Sequence, residues 1–424
     1  MIMRTTYLFF FLFLPVFTHA YLDPGTGSLL VYAVIGILTS LGFLLRGLWY
    51  HLIGLFFSTG SNVRGKIMPD LVFHSEGGRY WQVFEPIISA CLAKGIPCAY
   101  ITPDKKDPAH TFENDSGLFL VIRPGSEAAT IAYLNKIKTK VVVSTTPGLD
   151  VYMWKRSKHV SRYVHIFHAP TSVAFYEKYA LSFYDDIFTV GFFQDPEINQ
   201  LDLLRNLPEK KLYPVGLSYF DYMLKKMETF KRSRNDFTVL YAPTWGLRSS
   251  LNLYGHKILD ILVQENYRII FRPHPQSAIS DKDIMGSIVS VYKDHPLVEF
   301  DYNPTSIAAM ANSDLLITDL SGIFFDYAFL CSRPIILTGS EVSFAGYEAE
   351  DMTTVPWELE APKQFSHDLK GNIESIPAVI SEIRTMYASA EDNIMAFRDR
   401  NICNFGNAGE AAASQLDYIL RASL

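Results

Sequence analysis

The sequence predicts an α/β protein made of two doubly wound lobes that follow an apolar N-terminal segment. Short apolar strands alternate with helical stretches from residue 66 onward, and two long apolar runs precede them. The chain has 424 residues, of which 49% are hydrophobic, and this exceeds what a single core usually holds. Alternating strands and helices are typical of parallel sheets, which bind ligands beyond the carboxyl ends of their strands. Functional residues are therefore expected in the loops that follow strands.

Composition argues against several classes of protein and site. A formal net charge of -6 argues against broad electrostatic binding of nucleic acid, which needs many cations to displace the phosphate counterions. The few cysteines are spaced too widely for a disulfide framework or a CxxC metal site, so we expect reduced thiols, a cytosolic body and no metal. These cysteines are Cys91, Cys98, Cys331 and Cys403.

The N-terminal region is predicted to anchor the chain in a membrane. Residues 1–20 have a charged start, an apolar run and a small-residue end, which fits either a signal peptide or a first transmembrane segment. Ser28 to Leu45 would be roughly 27 Å long as a helix, close to the thickness of a bilayer. The segment 28–57 is interpreted as this span plus an interfacial helix or a continuation of the span. The basic residues follow the span, which predicts a cytoplasmic body. They are Arg46, Arg64 and Lys66.

The body is predicted to consist of an acceptor-side lobe at 66–230 and a donor-binding lobe at 236–390. The charged segment Lys225 to Asp236 separates the two series of strands. A final helical stretch, 391–424, is expected to pack across both lobes.

The segment Leu315 to Gly322 provides the strongest local signal, because a buried strand there ends in Thr318, Asp319, Ser321 and Gly322 just before a helix. Free N–H groups and the helix dipole favour a bound phosphate, to which the two hydroxyls could donate. The alternative interpretation is ordinary helix capping by the acid or the serine.

Two further strand-end loops of the second lobe carry polar side chains. Phe271-Arg272-Pro273-His274-Pro275 offers a guanidinium and an imidazole, which suit phosphate binding and the stabilisation of a leaving phosphate. Tyr241-Ala242-Pro243-Thr244-Trp245-Gly246 offers a hydroxyl and a glycine that permits close approach. Structural roles for His274 and for this second loop remain open alternatives.

In the first lobe, His168 follows a strand ending at Phe167. An imidazole that titrates near neutral pH can accept the proton of an attacking hydroxyl, so His168 is the candidate general base. His165 is a weaker candidate because it is expected in mid-strand. The loop Ser75 to Tyr80 lacks the Walker lysine pattern and is interpreted as a tight turn or an acceptor contact.

Taken in order, YAPTWG, FRPHP and LLITDLSGIFFDYAFL closely resemble the C-terminal lobe of CDP-glycerol glycerophosphotransferases. The resemblance runs over roughly Tyr163 to Tyr418 and includes Phe405 to Glu410. It implies a GT-B fold and transfer of glycerol phosphate from CDP-glycerol to a hydroxyl with release of CMP, as in the priming or extension of teichoic-acid-like polymers. CDP-glycerol, or a related CDP-alditol, would be a substrate, and no cofactor is implied.

The resemblance also implies roles for individual residues. His168 corresponds to the proposed base of the family's HGT loop, His274 to the histidine near the donor pyrophosphate, and Thr318 and Ser321 to phosphate-binding positions. Two motifs depart from the family pattern: FHAPTS stands in place of WHGTPLK, and Gly322 replaces a common second serine. The first departure affects the acceptor side. The second removes one possible side-chain hydrogen-bond donor to a phosphate.

The complete hypothesis is a transferase on the cytoplasmic face of a bacterial inner membrane, acting on a lipid-linked or membrane-bound glycan acceptor. Its expected partners are the nucleotide-activated donor, that acceptor and the lipid bilayer, without nucleic acid. The alternatives are a GT-B sugar-nucleotide glycosyltransferase of capsule or lipopolysaccharide synthesis and an inactive membrane scaffold. The sequence gives no indication of the oligomeric state.

Overall fold

The computed structural model describes residues 35–41, 67–114, 116–232, 236–339 and 344–422. The chain divides into two compact units, Met1–Phe56 and Phe57–Leu424. In the first unit, residues 35–41 are helical with exposed side chains, and the rest of the segments predicted at 1–20 and 28–57 lies outside the described residues. Among the described residues, no helix combines the length and apolarity needed to cross a bilayer.

The second unit begins with a seven-stranded parallel sheet. Its strand order is β3-β2-β1-β4-β5-β6-β7, so the direction of winding reverses between β1 and β4. Leu71 pairs with Cys98 on one side and with Val141 on the other, in register. The strands are β1 Leu71–His74, β2 Cys98–Ile101, β3 Phe119–Ile122, β4 Thr139–Ser144, β5 Val160–Ile166, β6 Asp186–Thr189 and β7 Lys211–Pro214.

In the part of the first lobe that the structure describes, four α-helices accompany this sheet. Ser126 caps the second helix by accepting a hydrogen bond from the Ala129 N–H at 3.3 Å. β1 and β2 are buried along their whole length, as expected of parallel strands covered on both faces. The helices are α1 Trp81–Ala93, α2 Glu127–Leu134, α3 Gln194–Leu204 and α4 Ser218–Glu228.

A second parallel sheet of six strands follows, in the order β10-β9-β8-β11-β12-β13. The winding reverses between β8 and β11, and Ile317 on β11 pairs with Tyr241 on β8. The strands are β8 Thr238–Tyr241, β9 Arg268–Phe271, β10 Val298–Phe300, β11 Leu315–Thr318, β12 Ile335–Leu337 and β13 His367–Asp368.

Within the described residues, ten further α-helices belong to the second sheet and the C-terminal tail. The second of them, α6, buries Ile258, Leu259 and Leu262 on one face, at helical spacing. The ten are α5 Ser250–Tyr254, α6 Lys257–Gln264, α7 Ser277–Ser280, α8 Lys282–Tyr292, α9 Ile307–Ala311, α10 Gly322–Asp326, α11 Trp357–Glu360, α12 Ile376–Thr385, α13 Tyr387–Asn401 and α14 Ala408–Ala422.

A strap, defined here as residues 344–365, leaves the second sheet after β12 and packs on the first lobe. Trp357 stacks on Phe193 with ring centroids 4.1 Å apart, and Arg205 forms an ion pair with Glu348. Lys178 pairs with Asp351 at 2.7 Å. The sequence analysis placed this segment wholly in the donor-binding lobe, and these contacts show that it touches both.

The C-terminal tail consists of two helices where the sequence analysis expected one helical stretch from 391. Helix α13 ends at Asn401, and Asn404 and Gly406 adopt positive φ angles of 46° and 77° before α14 starts. A left-handed backbone cannot continue a right-handed helix, which explains the break. The second tail helix packs on α1 and α4 of the first lobe.

Candidate functional site

The predicted site of the second lobe lies at the carboxyl ends of β8 and β11. These strands are neighbours, and the winding of the sheet reverses between them. Doubly wound sheets bind ligands at such a switch point because the helices on its two sides leave in opposite directions and open a crevice. The YAPTWG loop follows β8 and the TDLSG loop follows β11, so the fold brings the two motifs together from positions about 75 residues apart.

Asp319 holds one of the two loops that form this crevice. Its carboxylate is fully buried and accepts hydrogen bonds from the Thr244 N–H and the Ser250 N–H, each at 2.8 Å, and from the Ser250 hydroxyl at 3.0 Å. Burial raises the pKa of Asp319, while these donors oppose that rise. Asp319 therefore holds the loop after β8 in place. Its carboxylate binds two backbone N–H groups and a serine hydroxyl, and this role differs from direct contact with a phosphate.

Thr318 and Ser321 form a short chain of hydroxyl groups. The Thr318 hydroxyl is buried and donates to the Ala242 carbonyl at 2.6 Å. Its oxygen lies 3.0 Å from the Ser321 hydroxyl. Since Thr318 has a single hydroxyl proton, Ser321 is the donor in this second contact. Ser321 is the residue of the pair that is partly exposed to the crevice.

The helix after Ser321 starts without a side-chain cap. Ser321 occupies the N-cap position of α10 and makes no capping hydrogen bond there, and Gly322 is exposed. The α-helical turn continues directly into a π-helical segment, Tyr327–Cys331, so the helical dipole extends over ten residues. The first backbone N–H groups of this helix have no side-chain cap, and such groups suit an anion.

His274 lies on the loop after β9, the neighbour of β8. Its ring centroid is 6.2 Å from that of Trp245, and its Nδ1 accepts a hydrogen bond from the Gln276 N–H at 3.1 Å. The proton of the neutral ring is consequently on Nε2. Burial lowers the pKa of His274, against the charges of Asp319 and Asp281. The ring is an exposed Nε2–H donor near neutral pH.

Arg272 is less available than the sequence analysis expected. Its guanidinium forms an ion pair with the buried carboxylate of Asp301, with Nη1 and Oδ2 2.5 Å apart. Asp301 follows β10, so this pair joins two neighbouring strand-end loops. One side of the Arg272 guanidinium is thus occupied by the ion pair with Asp301.

In the first lobe, His168 follows β5 and is partly buried. Its ring packs edge-on against Tyr80, with centroids 5.3 Å apart, and the Arg79 guanidinium lies 4.7 Å from the Tyr80 ring. Burial, followed by the nearby charge of Arg79, lowers the pKa of His168. Its Nδ1 is buried without a hydrogen-bond partner. The ring is therefore neutral near pH 7, as a base must be.

His165 is excluded as a base by its position. It is fully buried in β5, its Nε2 lies 3.5 Å from the Tyr176 hydroxyl, and burial lowers its pKa to about 3. The loop from Ser75 to Tyr80 forms the tight turn predicted for it, in which the Tyr80 N–H donates to the Gly77 carbonyl at 3.1 Å, and it places Tyr80 beside His168.

Two buried acids hold the loop that follows His168, and the sequence analysis did not identify them. Glu358 of the strap accepts from the Ser172 N–H at 2.6 Å, and Glu197 of α3 accepts from the Val173 N–H at 2.9 Å. Burial raises the pKa of Glu197 to about 8, and the charge of Glu358 adds to the rise. An acid distant in sequence from its partner loop gives no local signal that would reveal it.

Among the sequence-predicted residues, Thr244, Thr318, Asp319 and Ser321 form one connected network, with Gly322 adjoining it and His274 on the next loop. His168 lies at the carboxyl edge of the other sheet. In the part of the chain that the structure describes, no three histidine, cysteine or acidic side chains are grouped so as to hold a metal ion.

Comparison with known proteins agrees with this architecture. Residues 220–414 match the family model of CDP-Glycerol:Poly(glycerophosphate) glycerophosphotransferase. The minor teichoic acid biosynthesis protein GgaB of Bacillus subtilis (strain 168) is 28% identical over 152 residues, which are 34% of this chain and 15% of GgaB. The matching segment thus spans less than a sixth of that relative.

Solved structures show the same fold at low sequence identity. The wall teichoic acid polymerase TagF, in its H444N form soaked with CDPG, superposes with a TM-score of 0.55 at 14% identity, covering 92% of this chain and 97% of TagF. The UDP-GlcNAc 2-epimerase of Neisseria meningitidis bound to UDP-GlcNAc superposes with a TM-score of 0.53 at 13% identity, covering 83% and 99% of the two chains. These likenesses establish an α/β fold of the GT-B type with two parallel sheets.

The family predicted from the three motifs is confirmed over the second lobe and the tail, whereas His168 lies before the matched segment. Residues 220–414, somewhat less than half of the chain, are thus similar to the CDP-glycerol:poly(glycerophosphate) glycerophosphotransferase family, and the second unit has an α/β fold of the GT-B type.

Proposed function

We propose that this protein transfers glycerol phosphate, or a related alditol phosphate, from a CDP-linked donor to an acceptor hydroxyl and releases CMP. The observation that carries the proposal is the network at the switch point of the second sheet. There Asp319 fixes the Thr244 loop beside the uncapped start of α10, with the His274 loop on the neighbouring strand. A diphosphate fits this arrangement of donors.

The donor side would act by electrostatic preorganisation. As the bond between the β-phosphorus and CMP breaks, negative charge grows on the departing CMP oxygen. The Nε2–H of His274 and the first N–H groups of α10 are fixed before the reaction and would stabilise that charge. Ser321 could rotate its hydroxyl from Thr318 toward a phosphate oxygen at the cost of one hydrogen bond.

The acceptor side would supply the base. The acceptor oxygen attacks the β-phosphorus, its proton passes to His168, and the electron pair of the broken P–O bond leaves with CMP. A neutral His168 can take this proton because burial and Arg79 lower its pKa. The Glu358 and Glu197 contacts to Ser172 and Val173 fix the backbone of the same loop.

The proposed acceptor is a lipid-linked or membrane-bound glycan at the cytoplasmic face of a bacterial inner membrane. The apolar runs before residue 57 support this proposal, since a tethered active site would reach an acceptor embedded in the same membrane. GgaB and TagF are described as teichoic acid biosynthesis proteins, which is consistent with such an acceptor.

Nucleotide release from a panel of donors tests the proposal. The full chain, purified with native membranes, is incubated with CDP-glycerol, CDP-ribitol and UDP-sugars. We expect CMP from a CDP-alditol. Release of a nucleoside diphosphate from a sugar donor would instead establish the glycosyltransferase alternative.

Variants assign the reaction to this site. His168→Ala and His274→Ala should each lower the rate by about 100-fold or more. His256→Ala is the matched control, because His256 is a partly exposed histidine of the second lobe whose ring lies 2.7 Å from the Ser287 hydroxyl and beside Tyr292, away from the donor network. Undiminished transfer in both site variants would show that neither histidine has its proposed role.

A further inference from the structure

A second cavity of about 430 Å³ opens at the carboxyl edge of the second sheet, on the β12 side of the donor network. It is distinct from the Thr244, Ser321 and His274 group, none of which lines it. The residues that line it come from the loop after β8 and the following helix α5, from the loop after β12, and from the end of β13 with the turn that follows it. They are Arg248, Leu253, Tyr254, Thr338, Gly339, Asp368, Lys370 and Gly371.

This cavity lies next to the proposed donor site. β12 is the neighbour of β11, and the Thr338 N–H donates to the Thr318 carbonyl at 3.0 Å. The Tyr254 hydroxyl donates to the Thr338 carbonyl at 3.3 Å. Thr338 therefore lines the cavity and is also hydrogen-bonded to Thr318, where the TDLSG motif begins. A ligand in the cavity would lie beside the donor.

Two glycine turns form the floor of the cavity by close backbone contact. Gly339 and Gly371 have φ angles of 89° and 85°, and a Cβ on Gly339 would lie 3.2 Å from the Gly371 nitrogen. The Gly371 N–H donates to the Thr338 carbonyl at 3.2 Å. Lys370 itself has a φ angle of 49°, and the Asp368 side chain accepts from its N–H at 2.9 Å. The turn thus fixes the backbone from which the lysine side chain projects.

Two cations, Arg248 and Lys370, and one acid, Asp368, are among the described residues that line the cavity. In the described structure, neither Arg248 nor Lys370 has an ion pair, whereas Arg156, Arg205 and Lys178 of the first lobe are all paired with carboxylates. One oxygen of the Asp368 carboxylate accepts the hydrogen bond from the Lys370 N–H. Two unpaired cations beside a phosphate-transfer site favour an anionic ligand.

We propose that this cavity binds a phosphate group of the acceptor, next to the unit whose hydroxyl is attacked. The proposal rests on the function proposed above, since a product of glycerol phosphate transfer is itself a phosphate-bearing acceptor. A volume of about 430 Å³ accommodates one glycerol phosphate unit. The protein would then prefer acceptors that already carry phosphate over neutral acceptors with the same hydroxyl.

Direct binding tests the cavity without depending on catalysis. A short glycerol phosphate oligomer is titrated calorimetrically into the full chain in detergent, in the absence of donor, and CDP-glycerol is titrated separately. Arg248→Gln and Lys370→Asn remove the charges, and asparagine is chosen because it tolerates a positive φ angle. Arg421→Gln is the control, since Arg421 is also an exposed cation but lies outside the cavity and is paired with Asp417.

We expect the oligomer to bind the two cavity variants at least about tenfold more weakly, because each loses a charge-assisted contact. CDP-glycerol affinity should stay unchanged, which also shows that the variants are folded, and Arg248→Lys should restore part of the oligomer affinity. Equal oligomer binding by all proteins would overturn the proposal. If the cavity variants lost affinity for CDP-glycerol and kept their affinity for the oligomer, the cavity would belong to the donor site. That result would also refute an acceptor site.

Discussion

At the scale of single residues, the two histidines differ in what surrounds their rings. His168 is partly buried against Tyr80, whereas His274 is exposed and oriented by the Gln276 N–H. Burial lowers the pKa of both, so each ring is neutral near pH 7. A neutral His168 can accept a proton, and a neutral His274 can donate its Nε2–H. The environments thus allow two imidazoles to perform opposite tasks at one pH.

The pH dependence of transfer follows from the protonation of His168. Its pKa lies below the ordinary value of about 6.5, and the active form is the unprotonated one. We expect kcat/KM for the acceptor to be level above pH 7 and to fall tenfold per pH unit only below the lowered pKa of His168. His168→Gln should remove this acidic limb together with most of the rate. An unaltered limb in that variant would assign the titration to another group.

Asp319 should contribute chiefly to stability. Removing its carboxylate leaves the Thr244 N–H, the Ser250 N–H and the Ser250 hydroxyl without their acceptor in a buried position. We expect Asp319→Ala to lower the free energy of unfolding by about 2–4 kcal/mol. Asp319→Asn keeps one oxygen acceptor and should cost less. Urea denaturation measures both, and equal stability of Asp319→Ala and the parent would contradict the bracing role.

At the scale of elements, the strap at 344–365 links the two lobes through packing and charge. Trp357 stacks on Phe193 of the first lobe and on Phe325 of the second. Glu358 of the same segment reaches the Ser172 N–H in the loop that follows His168. A segment that emerges from the donor-binding sheet therefore helps to set the backbone of the acceptor-side loop.

The buried acids behind this loop should make stability depend on pH. The pKa of Glu197 rises from an ordinary value near 4.5 to about 8 on folding, so the folded state binds the proton more tightly than the unfolded state. Its contribution to stability is complete below pH 4.5 and is lost as the pH rises toward 8. Glu197→Gln keeps an acceptor for the Val173 N–H. The free energy of unfolding of this variant should decline less than that of the parent between pH 5 and pH 8, as measured in urea. Parallel declines would refute the assignment.

The sequence predicted the strands and the strand-end motifs well, because their signals are local. The observed β11 and β9 end at Thr318 and Phe271, where the motifs begin. The strap and the brace role of Asp319 could not be predicted, since their partners lie between about 70 and 190 residues away. Local patterns identify which side chains follow a strand, whereas tertiary contacts decide whether a carboxylate faces a ligand or a backbone N–H.

At the scale of the whole molecule, the C-terminal tail closes the chain onto the first lobe by backbone contacts. A Cβ on Gly216 would lie 2.1 Å from the Cys403 carbonyl oxygen, and one on Gly191 would lie 1.8 Å from that of Asn401. Helix α14 then packs on α1, where Gly409 touches Pro86. The tail starts from the second lobe, so these glycines contribute to holding the two lobes together.

Gly216→Ala should destabilise the protein strongly. The residue has a φ angle of 92°, and the added methyl would overlap the Cys403 backbone. We expect a loss of about 3 kcal/mol in the free energy of unfolding. Gly286→Ala in α8 is the control, because nothing lies within 4 Å of its Cβ position, and a helical alanine should stabilise by up to about 1 kcal/mol. A neutral Gly216→Ala would contradict the close packing of the tail.

Following the β-phosphorus of the donor tests the central claim most directly. CDP-glycerol labelled at that phosphorus is incubated with the full chain and membranes, and the label is traced together with the free nucleotide. We predict that the label enters the membrane-bound acceptor in a one-to-one ratio with released CMP, and that His168→Ala and His274→Ala each lower the rate of both by about 100-fold or more. Label that stays with the nucleotide, as CDP, would contradict phosphoryl transfer at this site.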